Sequence, residues 1–153
     1  MPRLNDTLAV TPLIVEEPWD TFDEAVRGLV SELVRAGELP ERLADAAVQA
    51  IRDRERMAST ELVEIAVSIP HARLEGVDGI VAVLAVSSTA VYYTHADAEV
   101  AIPIMALVLS SPALAGQHLN FLSSLSLMLQ SPETRNDLQR AASPAQVLAH
   151  LRV

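Results

Sequence analysis

The stretch Arg54-Glu-Arg-Met-Ala-Ser-Thr-Glu-Leu-Val-Glu-Ile-Ala-Val-Ser-Ile-Pro-His-Ala-Arg-Leu74 decides how this chain is read. It starts as the charged end of a helix, passes through Ser59 and Thr60, and becomes an apolar run of β character from Ile65 to Ile69. Proline fixes its own φ and donates nothing to a ladder, so Pro70 is expected to stop that strand and present His71 at its tip. Arg54 and Arg56 precede the imidazole and Arg73 follows it. A lone histidine at a turn more commonly just bonds to backbone. Here the rigid Pro70, the positioning run, and the nearby Ser59, Thr60 and Arg54 favour a site for something anionic.

Composition bounds the possibilities. At 153 residues the chain is expected to form one domain over 1–153, large enough for a proper core. Half the residues are hydrophobic but only 3% are aromatic, so that core is aliphatic. A formal charge of −9 argues against nucleic acid, whose binding rests on phosphate neutralisation, and against an anionic membrane surface. The absence of cysteine removes disulfides, thiolate metal sites and cysteine nucleophiles. The start, Met1 to Asp6, has no signal-peptide character, and Val100 to Gly116 is interrupted by Pro103 and Pro112, too short to span a bilayer. A cytoplasmic protein without membrane insertion is expected.

Working outward from the central stretch, residues 1–11 are expected to be a loose arm, and Leu13 to Glu17 a strand or docking arm. Asp20 or Thr21 caps a helix with Phe22, Val26, Leu29, Val30, Leu33 and Val34 on one face. Gly37 and Pro40 end it. A second helix follows from Glu41 to Met57, with Leu43, Ala46, Ala47, Ala50 and Ile51 inward. Downstream, Ile80 to Val86 reads as a central strand. Val91-Tyr-Tyr is a short strand candidate, and Val100 to Leu109 a buried one carrying Pro103. A third helix spans Leu114 to Leu129 with His118, Leu122, Leu125 and Leu129 on one face. Pro132 to Arg140 and Ser143 to Leu151 are short helices, the last anchored by Leu148 and Leu151. Two helices, several strands, then more helices predict an α/β fold with a buried sheet between helical layers.

Other chemistry finds little footing. His118 follows a strand candidate at a helix start, where binding groups gather in α/β folds, although a histidine on an apolar helix face is more often core. His95, in a polar loop, and His150, in the last helix, receive no role. Close-spaced metal motifs such as HExxH are absent, so no metal is expected. There is no Gly-x-Ser-x-Gly elbow for a serine hydrolase. Only five glycines exist, none clustered into a phosphate-cradling loop.

Arg54-Glu-Arg-Met-Ala-Ser-Thr60 followed by Ile69-Pro-His-Ala72 resembles the enzyme IIA domain of the fructose–mannitol type. That family belongs to the bacterial phosphoenolpyruvate-dependent sugar phosphotransferase system and includes the nitrogen-regulatory enzyme IIA. Its pattern is Arg-Glu-x-x-Gly-Ser-Thr, a glycine-rich link, then Ile-Ala-Ile-Pro-His-Gly. Gly116-Gln-His-Leu119 and the leucine-rich residues after it are similar to the family's His-Leu-x-x-Leu helix, and Ala141 to Leu151 to its closing helix. This chain carries Ala58, Glu61, Val63 and Ala72 at family glycine positions.

The resemblance implies a three-layer α/β/α sandwich around a small mixed sheet. It implies a phosphohistidine at His71, an active-site arginine at Arg54 and a second active-site histidine at His118. Neutral His71 would then accept a phosphoryl group from an HPr-like phosphocarrier. Arg54, with Arg56 or Arg73, offsets its charge, and Ser59 and Thr60 donate hydrogen bonds, without metal or cofactor. The group passes to a IIB domain or reports to a regulatory protein. The altered glycines keep a second reading open, a non-catalytic interaction module on the same fold. Which sugar is served, if any, and the oligomeric state are left open.

Overall fold

The computed structural model describes residues 12–62, 64–94 and 99–151. The expected arm at 1–11, Val63 and His95 lie outside the described residues.

In order, the described elements begin with β1 (Leu13–Ile14), α1 (Phe22–Arg35) and α2 (Ala44–Met57), then β2 (Glu61–Leu62), β3 (Val67–Ser68) and β4 (His71–Arg73). They continue with β5 (Ile80–Val86), β6 (Tyr92–Thr94), β7 (Val100–Ile102) and β8 (Ile104–Ser110), and close with α3 (Ala115–Leu129), α4 (Pro132–Arg140) and α5 (Pro144–His150). Thr21 caps α1, its hydroxyl accepting from the Glu24 amide at 3.1 Å, while the Glu24 carboxylate reaches back to the Asp20 amide at 3.2 Å. The Thr21 bond satisfies one otherwise orphaned donor of the first turn, and the Glu24 bond ties down the residue just before the cap. Ser131 and Ser143 cap α4 and α5, each with proline in the first turn.

β5 and β8 form the centre, paired antiparallel along their whole length from Ile80↔Ser110 to Val86↔Ile104. Alternate residues point to opposite faces. Val81, Val83, Ala85, Met105, Leu107 and Leu109 join the core under α1 and α2. Ala82, Leu84, Val86, Ile104, Ala106 and Val108 join a second core beneath α3, α4 and α5. Each fully buried Leu or Ile there contributes about 1.5–3 kcal/mol of hydrophobic stabilisation. Together these make a three-layer α/β/α sandwich. The main sheet is mixed, in the order β1-β5-β8-β3-β2, with β4 beside β8; β1 runs parallel to β5, and β3 and β4 parallel to β8, while β2 is antiparallel to β3. β6 and β7 make a separate antiparallel pair.

Several expectations change in detail. The run Ile65–Ile69 is a strand only at Val67–Ser68, because residues 64–66 turn to pair β3 with β2. Ala66 takes a left-handed φ of 57° in that turn. Pro70 does not end the β structure: its carbonyl accepts from the Val108 amide at 3.0 Å, and β4 continues along β8. His71 therefore sits within the sheet rather than at a free tip. The run Val100–Leu109 divides at Pro103, which hands the chain from the small sheet to the large one. On α2, Val48 is buried while Ala46 is exposed, and Val147 with Leu151 anchors the last helix more than Leu148 does. Gly28 has a packing reason: a Cβ there would lie 2.3 Å from the Trp19 ring. Among the described residues no helix is long and apolar enough to cross a membrane.

Candidate functional site

His71 lies opposite Val108 and Arg73 opposite Ser110. Directly opposed residues share a sheet face, so His71, Arg73 and Ser110 all face the α3 side, while Ala72 points into the other core. His118, in the first turn of α3, is buried above that row. Its ring centroid is 5.5 Å from that of His71, tilted by 52°. Residues 47 positions apart thus meet because β8 ends beside β4 and leads directly into α3.

His71 is half-buried, and its Nδ1 donates to the Ile69 carbonyl at 2.9 Å. A carbonyl only accepts, so Nδ1 carries the hydrogen and the neutral ring keeps its lone pair on Nε2. Burial first, and then the nearby Arg54 charge, lower the His71 pKa; the Ile69 bond and Glu55 oppose them. His118 is pushed down to about 4, by burial first and then by the electrostatic influence of His71, once protonated, and of Arg73 and Arg54. Both rings are therefore neutral at neutral pH. Ser110 Oγ lies 2.5 Å from His118 Nδ1.

Arg54 acts electrostatically on both histidines and Arg73 on His118, whereas the other predicted residues are engaged elsewhere. Arg54 is held at the end of α2, its Nη1 donating to the Ala58 carbonyl at 3.0 Å. Arg56 is exposed and pairs with Asp53 at 3.5 Å. Ser59 is exposed, its Oγ accepting from the Glu61 amide at 3.1 Å. Thr60 turns to Glu55, whose carboxylate accepts both its amide, at 2.9 Å, and its hydroxyl. The Thr60 carbonyl in turn accepts from the Ile69 amide at 3.2 Å. A continuous run of bonds thus braces His71, from Glu55 through Thr60 and Ile69.

Glu55 and Ser110 are the residues that sequence reasoning missed. Glu55 was visible as the acidic half of the Arg-Glu pair, but Ser110 sits in an apolar run with nothing to mark it. Glu61, at a family glycine position, accepts from the buried Tyr92 hydroxyl at 2.5 Å. Burial and this bond raise the Tyr92 pKa. His150 lies 3.7 Å from Asp137, on α5 and away from the pair. Among the described residues no group of three or more His, Asp or Glu is arranged to hold a metal ion. A cleft of about 730 Å³, lined by Val86, Ser87 and Arg140 among others, opens at the end of β5 remote from the histidines.

A mixed sheet flanked by helices, with two adjacent neutral histidines under the electrostatic influence of two arginines, defines an α/β domain suited to holding an anion at an imidazole. Residues 13–152 match the family described as phosphoenolpyruvate-dependent sugar phosphotransferase system, EIIA 2, and the chain belongs to that family of phosphotransferase components. No curated protein matches the chain in sequence. Among solved structures it is similar to the nitrogen regulatory protein IIA-Ntr from Neisseria meningitidis, with a TM-score of 0.81 at 20% identity over 97% of this chain and 98% of that one. It is also similar to IIA mannitol from Escherichia coli, with a TM-score of 0.70 at 21% identity over 92% of this chain and 96% of that one. The complex of enzyme IIA mannitol with phosphorylated enzyme IIB mannitol from the same organism matches with a TM-score of 0.70 at 21% identity, over 92% of this chain and 94% of that one. These likenesses are of fold.

Proposed function

We propose that the chain acts as one enzyme IIA domain in the cytoplasm, accepting a phosphoryl group from a phosphorylated HPr-like carrier on His71. It then passes the group to a IIB domain or displays it to a regulatory protein. The observation that carries this reading is the neutral His71 ring, with Nδ1 bonded to Ile69 and Nε2 left as the lone pair, beside His118 and within range of the Arg54 charge. Nε2 attacks phosphorus; the donor's nitrogen–phosphorus bond breaks, and its electron pair leaves with the donor imidazole. No metal is required, because Arg54 and Arg73 offset charge on the phosphoryl oxygens and positioning does the rest. Ser59 is free to turn its hydroxyl proton toward the group. Thr60 serves through the Glu55 brace, and Arg56 contributes only to the surrounding field. Met57 and Leu119 are 82% and 64% exposed, on the two helices that deliver Arg54 and His118. They would offer apolar contact to a protein carrier.

Incubation with phosphoenolpyruvate, enzyme I and HPr, read by intact mass, tests the proposal. One phosphoryl group is expected, abolished in His71→Ala and reduced in Arg54→Gln. His118→Ala should retain partial labelling. An unlabelled chain beside a labelled control enzyme IIA would refute phosphotransfer and leave the non-catalytic module, the reading favoured by alanine and glutamate at the glycine positions.

A further inference from the structure

Ser110 is fully buried at the end of β8, and its hydroxyl meets His118 Nδ1 at 2.5 Å. Its backbone is committed elsewhere: the carbonyl accepts from the Leu74 amide at 2.9 Å, and the residue is in register with both Ile80 and Arg73. A serine hydroxyl and a neutral imidazole share a bond in one of two senses. If Ser110 accepts, His118 carries its hydrogen on Nδ1 and a bare lone pair on Nε2. If Ser110 donates, Nδ1 is the acceptor and Nε2 carries the hydrogen.

The neighbourhood separates the two. His71 already presents a lone pair on Nε2, because its Nδ1 hydrogen is spent on Ile69. A second bare nitrogen on the adjacent ring would leave two neighbouring imidazoles each with an unprotonated Nε2 and no hydrogen between them. With Nε2–H on His118, that ring becomes a donor. Arg54 and Arg73 already supply positive charge, so a neutral donor adds a hydrogen bond without crowding a third cation into a half-buried site.

We infer that Ser110 is a positioning residue: it donates its hydroxyl proton to His118 Nδ1, holds that ring as the Nε2–H tautomer, and so makes His118 an uncharged hydrogen-bond donor to a phosphoryl group on His71. The last step rests on the proposed carrier function; the tautomer does not. Ser110 never touches the transferred group and acts through His118 alone.

Imidazole nitrogen-15 spectra of the full chain at neutral pH report the tautomer directly. The intact protein should show His118 protonated on Nε2 and bare on Nδ1. Ser110→Ala should shift His118 toward a tautomer mixture with the fold intact by circular dichroism. It should also slow labelling of His71 by phospho-HPr about tenfold, the loss of roughly one hydrogen bond in the transition state. Ser110→Thr, which keeps Oγ, should restore both. A proton on His118 Nδ1 in the intact protein, or an unchanged tautomer in Ser110→Ala, would overturn the inference. If no form is labelled while His118 shows Nε2–H, the carrier reading fails and the hydrogen-bond assignment stands.

Discussion

Acid is the direct perturbation of the histidine pair, and its effect on stability has a definite sign. Burial, then the electrostatic influence of His71, once protonated in acid, and of Arg73 and Arg54, bring the His118 pKa to about 4, against roughly 6.5 in an unfolded chain. The unfolded chain thus takes up the proton first. Stability tied to His118 is fully present above the unfolded value and is lost progressively as the pH falls through 6.5 toward 4. Integrated over that window, the folded state loses about 2 kcal/mol at pH 5 and about 3 kcal/mol near pH 4. Against a typical domain stability of roughly 5–15 kcal/mol, this is a large share. The lowered pKa of His71 acts in the same direction.

Carboxylates contribute to any acid denaturation, so the effect is isolated by comparison. His118→Asn places a non-titrating polar group near Ser110 Oγ. Denaturant unfolding of both proteins at pH 7, 6 and 5 should show the intact chain losing about 2 kcal/mol more than the variant by pH 5. An NMR titration of the His118 ring should place its midpoint well below that of a free histidine. Equal acid sensitivity in the two proteins, or a midpoint above the unfolded value, would refute the reasoning.

Three further outcomes follow from the packing. Glu55→Ala strands the amide and hydroxyl of Thr60, and should cost about 1–3 kcal/mol in denaturant unfolding; a variant as stable as the parent would remove Glu55 from the bracing of His71. Ala66 holds a left-handed φ of 57°, a conformation costing a non-glycine residue about 1–2 kcal/mol. Glycine's larger unfolded-state entropy returns about 0.5–1 kcal/mol of that, so Ala66→Gly should stabilise the chain by about 0.5–1 kcal/mol in a thermal melt. Gly28→Ala drives a methyl into the Trp19 ring and should destabilise by about 1–3 kcal/mol. Trp19 is the only tryptophan, so a shift in its fluorescence checks the clash separately from the loss of stability.

The elements legible in the sequence are those whose pattern is strictly local. The α1 face repeats at helical spacing and begins with a capping side chain, so both its position and its inward residues could be read directly. β5, an unbroken apolar run with no glycine or proline, could only be a central strand. The central stretch was misread where its order depends on partners distant in sequence. Pro70 lacks an N–H, which argues for termination when the strand is considered alone. Beside β8, however, only its carbonyl is needed, and the pairing carries on to Arg73. The 64–66 turn was hidden for a related reason. Turns announce themselves through glycine or asparagine, whereas here alanine accepts the left-handed geometry, and the strain is outweighed by the β2–β3 pairing and by packing around Ala66. The site shows the same division. His71 and Arg54 share one stretch and stand out as candidates within it, and His118 does so through its helix. Ser110 carries no local signal at all. Its role exists only because β8 stops one residue beyond the level of Leu109, on the face where Arg73 and His118 converge. The residue that sets the chemistry of the second histidine is therefore fixed by sheet register, which no pattern along a single strand encodes.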